Sequence, residues 1–248
     1  MLRSRFIRVL PLFMFSTLLL IAFPSKVAGQ NCDCEMEQQC SNPDDGQLPG
    51  IWNPYTCTCR HNTPIIIDVS GNGFHLTSVA NGVAFDIDGD GHTESIAWTD
   101  ASSENAFLVL DRNGNGKIDD GAELFGNVTP QPSSKMPNGF AALAEFDKPD
   151  NGGNSDGIID RRDAVFSKLR LWIDHNHDGI SQTFELYTLE SFGIESISLA
   201  YSESMKADQF GNLFRFRSRI RTSRNSEAEH WAYDVFLASN EDRSGGRK

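Results

Sequence analysis

Short apolar runs alternate with turns rich in glycine, asparagine and aspartate between residues 64 and 110. Apolar or β-branched runs that are bounded by such turn residues predict β-strands. The predicted strands are Pro64–Val69, Phe74–Leu76, Val83–Asp86, Ser95–Trp98 and Phe107–Leu110. We therefore expect the polar turns of this region to lie at strand ends.

The pattern changes further along the chain. Gly139–Phe146 has the apolar spacing and alanine content of a helix, and we also predict helices at Asp163–Leu169 and Phe184–Ser191. Leu169–Ile173 is predicted as a strand or a short helix. A period of two then predicts three strands, which are Ile194–Tyr201, Asn212–Arg221 and His230–Leu237. Together these elements predict an α+β fold with short antiparallel strands, a few short helices and a C-terminal antiparallel sheet.

Residues 174–185 have the pattern of a twelve-residue EF-hand calcium loop, and we call them loop 4. The predicted ligands at positions one, three, five, seven and twelve are Asp174, Asn176, Asp178, the carbonyl of Ile180, and Glu185. Gly179 allows the sharp turn at position six. Because Ca²⁺ takes six to eight oxygen ligands, loop 4 is a predicted calcium site.

Two upstream segments repeat much of this pattern. In loop 1 (residues 86–94) the predicted ligands are Asp86, Asp88, Asp90, His92 at position seven, and Glu94. In loop 2 (residues 111–123) they are Asp111, Asn113, Asn115, Lys117 at position seven, Asp119 and Glu123. Glu123 is at position thirteen. Either loop 2 therefore bulges by one residue or Asp119, at position nine, closes the site.

A third segment, loop 3 (residues 150–163), matches the pattern from Asn154 onward. Its predicted ligands are Asp150, Asn154, Asp156, Ile158 and Asp163. Gly152 stands where the first ligand is expected, so Asp150 or Asp147 must reach in around a small insertion. The segment Asp68–Gly73 begins in the same way but has no closing acid, and we interpret it as a plain turn.

Ordinary turns between strands are the alternative interpretation of all these segments, because Asp, Asn and Gly are common turn residues. Electrostatics favours a bound cation. Two carboxylates about 4 Å apart repel each other by about 4 kcal/mol at an effective dielectric constant near 20. We therefore predict Ca²⁺ as the ligand of these loops.

The region from Thr63 to Leu199 resembles the EF-hand-like calcium-binding module of exported bacterial proteins, which occurs in RTX-type adhesins and in stand-alone secreted proteins of unknown function. The motifs that carry the resemblance are Pro64–Asp68 with Gly71–Phe74, Phe85–Gly91 with Trp98, Phe107–Gly116 with Glu123–Gly126, and Leu169–Asp174 with Glu185–Leu186. The resemblance implies calcium binding and does not imply a reaction. It also implies that the predicted strands and helices carry EF-hand-like loops.

The N-terminal pattern predicts export. Three arginines precede the apolar run Leu10–Phe23, and small residues follow at Val27–Gly29, as in a secretory signal peptide that is cleaved near Gly29. We expect a secreted, extracellular protein, with the periplasm as the alternative. Cleavage leaves 18 basic and 34 acidic residues and a formal charge of −16. Such a charge disfavours nucleic acid as a partner, and no later apolar stretch predicts membrane insertion.

All five cysteines lie close together, at Cys32, Cys34, Cys40, Cys57 and Cys59. Export to an oxidising compartment predicts disulfides, although the odd number leaves one thiol over and the pairing open. A metal cluster of thiolates is the alternative. The predicted organisation is a signal peptide (1–29), a disulfide-stapled segment (30–62), a calcium-binding module (63–199), a C-terminal β segment (200–238) and a disordered tail (239–248).

These patterns predict a secreted, non-enzymatic protein that binds several calcium ions, with calcium acting mainly as a structural clamp. No catalytic residue is predicted. One alternative is an extracellular hydrolase that calcium stabilises. The other is a calcium-dependent adhesion module that binds a cell-surface polysaccharide or protein. Four arginines at alternate positions of Asn212–Arg221 either contact such a partner or balance the acidic loops.

Overall fold

The computed structural model of the protein describes residues 51–53, 58–60, 62–223 and 230–239. The predicted signal peptide, most of the cysteine-rich segment and nearly all of the C-terminal tail lie outside these residues. The predictions of cleavage and of disulfides also fall outside them.

A nine-stranded antiparallel sheet that curls into a half-barrel forms the body of the protein. Its strands, in spatial order, are β7 (Ile158–Asp160), β10 (Ile194–Ser198), β12 (Leu213–Thr222), β13 (His230–Phe236), β3 (Ile65–Asp68), β6 (Asn105–Val109), β8 (Arg170–Trp172) and β9 (Leu186–Thr188). The ninth strand, β11 (Ser202–Ala207), pairs with β12 next to the stretch that pairs with β10. Two hairpins form separate two-stranded sheets. They are β1 (Ile51–Asn53) with β2 (Thr58–Arg60), and β4 (Val83–Phe85) with β5 (Glu94–Ile96).

The sheet is buried on both faces, which explains why its central strands are continuous apolar runs. Side chains on a strand alternate between the two faces. On β3, Ile65 and Ile67 belong to one core cluster and Ile66 belongs to the other. On β6, Leu108 faces the first cluster and Phe107 faces the second. The second cluster is covered by the β4–β5 hairpin, which positions loop 1 against the sheet.

The predicted α+β fold class is wrong, because the protein is mostly β and 13% helical. In the described residues the one α-helix is α1 (Gly139–Ala144), whose N-cap residue Asn138 accepts a hydrogen bond from the amide of Ala141. Single 3-10 turns complete the helical content and lie at Val79–Asn81, Glu145–Asp147, Pro149–Asn151, Thr183–Glu185 and Leu189–Phe192.

Two of the predicted helices do not form. Residues 163–169 are a series of turns, and the predicted helix Phe184–Ser191 is replaced by a 3-10 turn, strand β9 and a second 3-10 turn. A helix of seven or eight residues forms few backbone hydrogen bonds, and these bonds do little to offset the unfavourable free energy of helix nucleation. At β9 the backbone pairs instead with β8, with Leu186 opposite Trp172.

The three predicted C-terminal strands are present as β10, β12 and β13, and β11 was not predicted. The sheet takes strands from both the predicted calcium-binding module and the predicted C-terminal β segment, since β12 and β13 lie between β10 and β3. In the described part of the chain, no helix has the length and apolar character that a membrane span requires.

Candidate metal centres

Loops 1, 2 and 4 each follow a β-strand, whereas loop 3 follows α1. Loop 1 connects β4 to β5, loop 2 follows β6, and loop 4 connects β8 to β9. Loop 3 lies between α1 and the residues that follow β7. Each of loops 1, 2 and 4 therefore begins within two residues of a strand whose side chains are packed in the core.

The acid at position one is held by the backbone of its own loop in all four cases. One of its carboxylate oxygens accepts a hydrogen bond from the amide of the glycine at position six. The pairs and N···O distances are Asp86 with Gly91 at 2.9 Å, Asp111 with Gly116 at 2.8 Å, Asp147 with Gly157 at 2.9 Å, and Asp174 with Gly179 at 2.9 Å. The same arrangement at four places points to one type of loop.

Loop 3 begins at Asp147 rather than at Asp150. Asp147 is buried, and its second oxygen accepts a hydrogen bond from the amide of Asp156. Asp150 is exposed on the 3-10 turn Pro149–Asn151, which forms the insertion. Of the two alternatives that the sequence left open, the structure therefore places Asp147 in the loop and Asp150 outside it.

The backbone at position four supports the same alignment. Ser155 and His177 are the non-glycine residues with positive φ in the described chain, at 58° and 59°. They occupy position four of loops 3 and 4, where loops 1 and 2 have Gly89 and Gly114, each with φ of 75°. A positive φ is uncommon for a residue with a side chain, so its recurrence at one loop position shows that the four backbones follow the same path.

The acid that closes each of loops 1, 2 and 4 accepts a hydrogen bond from the amide at position two. The pairs are Glu94 with Ile87 at 3.1 Å, Glu123 with Arg112 at 2.8 Å, and Glu185 with His175 at 3.0 Å. Glu123 is 3% exposed and Glu185 is fully buried. In loop 2, Glu123 thus takes the closing place in spite of its position thirteen.

Asp119 also reaches into loop 2. Its carboxylate accepts hydrogen bonds from the side-chain amides of Asn113, at 3.3 Å, and Asn115, at 2.5 Å. The side chains at positions three and five are therefore each within hydrogen-bonding distance of the carboxylate at position nine. In loop 4, Asp178 similarly accepts from the side-chain amides of Asn176 and Gln182, each at 2.9 Å.

The acidic side chains crowd one another. Within the described residues, Asp86, Asp88 and Glu94 offer carboxylate oxygens that all lie within 4.8 Å of one another. Partial burial, together with the carboxylates of Asp90 and Asp86, raises the pKa of Asp88 above its ordinary value. Burial and the neighbouring carboxylates therefore oppose the ionisation of Asp88.

Loop 3 shows the same effect at its closing acid. Asp163 is 3% exposed, and its Oδ1 has no hydrogen-bond partner in the described structure. Burial and the neighbouring Asp147 and Asp160 raise the pKa of Asp163, and nearby amides offset only part of that rise. A buried carboxylate oxygen without a partner is the kind of atom that a metal ion would satisfy.

In loop 3, an arginine of the loop itself forms ion pairs with two of the loop's acids. The Arg162 guanidinium lies 2.5 Å from Asp156 at position five and 2.7 Å from Asp160 at position nine. This contact lowers the pKa of Asp160. Arg162 thus neutralises carboxylates that a metal ion would otherwise contact.

Loops 1, 2 and 4 are neighbours in space. Ser181 at position eight of loop 4 accepts a hydrogen bond from the amide of Ile118, at position eight of loop 2, at 2.7 Å. Ile159 of loop 3, in contrast, pairs with Ile197 on β10. Loop 1 contacts loop 2 through a bridge between Asp86 and Asp120.

The two histidines of loop 4 bond to groups outside the metal-binding pattern. His175 Nε2 lies 3.0 Å from the Tyr187 hydroxyl, and His177 Nε2 lies 2.7 Å from the Asn81 carbonyl.

The turn Asp68–Gly73 resembles the first half of the loops, but it bonds to the side-chain amide of Asn105 rather than to a closing acid. Asp68 accepts hydrogen bonds from the amides of Gly71 and Gly73. The fully buried Asn105 then donates to the Gly73 carbonyl at 3.0 Å and accepts from the His75 amide at 2.6 Å. Asn105 therefore satisfies two backbone groups at the end of this turn.

Sequence reasoning did not find the contribution of two tryptophans. Trp98 donates its indole N–H to Asp174 at 2.9 Å, and Trp172 donates to Glu185 at 3.4 Å. Trp98 is 76 residues from Asp174 in the chain, so no local pattern could reveal this contact.

The comparison with known families covers the whole sheet and all four loops. The sequence model of the SPM domain matches residues 65–238, which run from the first residue of β3 to the end of β13 and beyond. The chain belongs to the SPM domain family. Its SPM domain therefore contains the four loops, both core clusters and the arginines of β12.

The chain is also similar to a much longer protein. The chain is 43% identical over 152 residues to the iron-regulated protein FrpA of Neisseria meningitidis serogroup C. The matched residues are 60% of this chain and 13% of FrpA. The chain thus spans a small part of that relative's length.

Proposed function

We propose that the protein binds calcium through loops 1, 2 and 4, and that the ions act mainly as structural clamps between strands. The observation that carries the proposal is the repeated loop geometry, in which the first acid accepts a hydrogen bond from the amide at position six and the closing acid accepts one from the amide at position two. The resemblance to EF-hand-like modules of exported bacterial proteins supports the same function.

The chemistry of the loops favours Ca²⁺ over other metal ions. Their side-chain ligands at positions one, three and five and their closing acids all offer carboxylate or amide oxygens, which suit a hard cation. The histidines of loop 4 bond elsewhere, so a zinc site of nitrogen and sulfur ligands has no support there. Ca²⁺ also accepts irregular shells of six to eight oxygens, whereas Mg²⁺ requires a small octahedral shell.

A structural role follows from where the loops lie. Loop 4 joins β8 to β9 and contacts Asn81, two residues before β4, while loop 1 joins the hairpin strands β4 and β5. Loop 2 contacts both of these loops, through Asp86 of loop 1 and Ser181 of loop 4. Ions in these loops would neutralise the carboxylates and hold the hairpin on the sheet. Loop 3 would bind more weakly, since Arg162 already contacts two of its acids.

The arginines of β12 support the interpretation as a charge-balancing face rather than as an adhesion surface. Arg215 pairs with Glu203 at 3.0 Å, and Arg221 pairs with Glu195 at 3.1 Å. Arg217 lies over the ring of Trp231, 4.7 Å from its centroid. Two of the four charges are thus neutralised within the sheet, and we propose no polysaccharide or protein partner for them.

The test is a calorimetric titration of the exported chain, from Gln30 onward, with calcium. Replacing Glu185 by Gln should remove one binding site, because it weakens the closing ligand of loop 4. The matched control is Asp150→Asn, which removes an exposed carboxylate of the loop 3 insertion and should leave the stoichiometry unchanged. We expect dissociation constants of about 10⁻⁴–10⁻³ M, as in extracellular modules. Equal stoichiometry in the parent and in Glu185→Gln would show that Glu185 is not a ligand.

A further inference from the structure

The two acids that begin and end loop 4 each accept a hydrogen bond from a buried tryptophan. The Trp98 indole nitrogen lies 2.9 Å from Asp174 Oδ2, and the Trp172 indole nitrogen lies 3.4 Å from Glu185 Oε2. Both tryptophans are fully buried, and the two carboxylates are 1% and 0% exposed. Loop 4 therefore closes onto the core through two indole N–H groups.

The same tryptophans belong to an aromatic cluster that connects the neighbouring loops. Trp98 and Trp172 are 5.4 Å apart between ring centroids, and Phe107 lies 4.3 Å from Trp98 and 5.8 Å from Trp172. Phe85 lies 5.2 Å from Trp98 and 5.7 Å from Trp172. Phe85 directly precedes the first acid of loop 1, and Phe107 lies on the strand that leads into loop 2.

A buried indole N–H needs some acceptor, so a contact of this kind could be structural alone. The identity of the acceptors indicates a role beyond a structural contact. Both donors select the terminal acids of one loop, and Trp98 comes from a segment 76 residues away that follows the loop 1 hairpin. Groups that hold metal ligands from behind usually fix their orientation, and replacing such groups typically weakens metal binding about 10- to 100-fold.

We propose that Trp98 and Trp172 are positioning residues for loop 4, which hold Asp174 and Glu185 ready for a calcium ion and report its binding through their fluorescence. This inference rests on the proposed calcium binding. Asp174 keeps its second oxygen oriented by the amide of Asp178, at 3.2 Å, so the indole bond sets the direction of the carboxylate without occupying both of its oxygens.

The experiment is a calcium titration of the exported chain, followed by calorimetry and by tryptophan emission. Trp98→Phe keeps an aromatic ring and removes the N–H donor. We expect the affinity of one site to fall about 10-fold or more, and the other sites to be unchanged. Trp172→Phe should weaken the same site by a smaller factor, because its hydrogen bond is longer. The matched control is Trp231→Phe, which lies among the β12 arginines and should alter neither the affinities nor the calcium-dependent change in emission.

A double variant separates positioning from general destabilisation. When Glu185→Gln has already removed the loop 4 site, adding Trp98→Phe should leave the remaining sites as they were, and calcium should no longer change the emission as it does in the parent. If Trp98→Phe also weakens those remaining sites, the tryptophan supports the fold as a whole and the positioning role is overturned.

The titrations distinguish a failure of the proposed calcium binding from a failure of the proposed positioning role of the tryptophans. A parent chain that binds no calcium overturns the proposed function and this inference together. A parent chain that binds calcium, with loop 4 affinity unchanged in Trp98→Phe, overturns this inference and leaves the proposed function standing.

Discussion

Replacing Asp234 by Asn should stabilise the protein at neutral and alkaline pH and should have little effect in acid. Asp234 lies on β13, is fully buried, and accepts a hydrogen bond from the amide of Gly139 at the start of α1. Complete burial raises its pKa from an ordinary 3.8 to about 7, and the Gly139 amide and the Thr63 side chain offset only part of that rise. The asparagine side chain has nearly the same shape and does not ionise.

The magnitude follows from the two pKa values. Between about pH 4 and pH 7 the folded protein keeps the Asp234 proton while the unfolded chain has lost it, so the folded state binds more protons. The free energy of unfolding therefore falls as the pH rises through this interval. A difference between 3.8 and about 7 corresponds to about 4 kcal/mol at about 1.36 kcal/mol per pKa unit. Above about pH 7 the decrease in the free energy of unfolding is complete.

The assay is urea denaturation of the parent and of Asp234→Asn at several pH values from about 4 to about 8.5, at one fixed calcium concentration. The difference in unfolding free energy between the two proteins should grow in favour of the asparagine variant by about 4 kcal/mol across this range. Comparing the two proteins at each pH removes the contribution of the loop carboxylates, which both share. A difference that stays constant with pH would show that Asp234 does not titrate in the folded protein as its burial requires.

Three further predictions concern the loops. Calcium should raise the midpoint of thermal unfolding by several degrees relative to chelator, and magnesium by much less, because each occupied site contributes about 1–2 kcal/mol at a few millimolar calcium; superimposable melting curves would mean that the loops are ordinary turns. Arg162→Gln should strengthen calcium binding at loop 3 several-fold in calorimetry, because it frees Asp156 and Asp160, whereas Arg161→Gln, which breaks the exposed pair with Glu190, should not. Asn105→Ala should lower the unfolding free energy by about 2–3 kcal/mol in chemical denaturation, with or without calcium, since it leaves the His75 amide and the Gly73 carbonyl without partners; a loss that calcium restores would indicate an ion at the Asp68–Gly73 turn.

The candidate ligands could be predicted because the loop pattern is local. Each first acid bonds to an amide five residues ahead in loops 1, 2 and 4, so the spacing in the chain already contains the geometry. In loop 3 the local spacing does not identify the first acid. Its insertion separates Asp147 from Gly157 by ten residues, and two acids remained possible until their burial was known.

The helices were predicted less well than the strands, for a physical reason. A run of seven or eight residues with some apolar spacing fits a short helix or a strand almost equally, and the pairing partner decides between them. Residues 186–188 became a strand because the edge of β8 was available to pair with them. Tertiary context of this kind is absent from the local pattern.

The sequence by itself determined where the acidic loops lie, which residues begin loops 1, 2 and 4, which residues close loops 1 and 4, and where the C-terminal strands and most of the central strands run. These features depend on contacts within about a dozen residues or on the alternation of side chains along one strand. The tertiary structure alone decided that loops 1, 2 and 4 lie together, that two tryptophans hold the terminal acids of loop 4, and that Asp234 is buried without a counter-charge. Each of these facts joins residues that are distant in the chain, and their positions are set by how the half-barrel curls and packs its two core clusters.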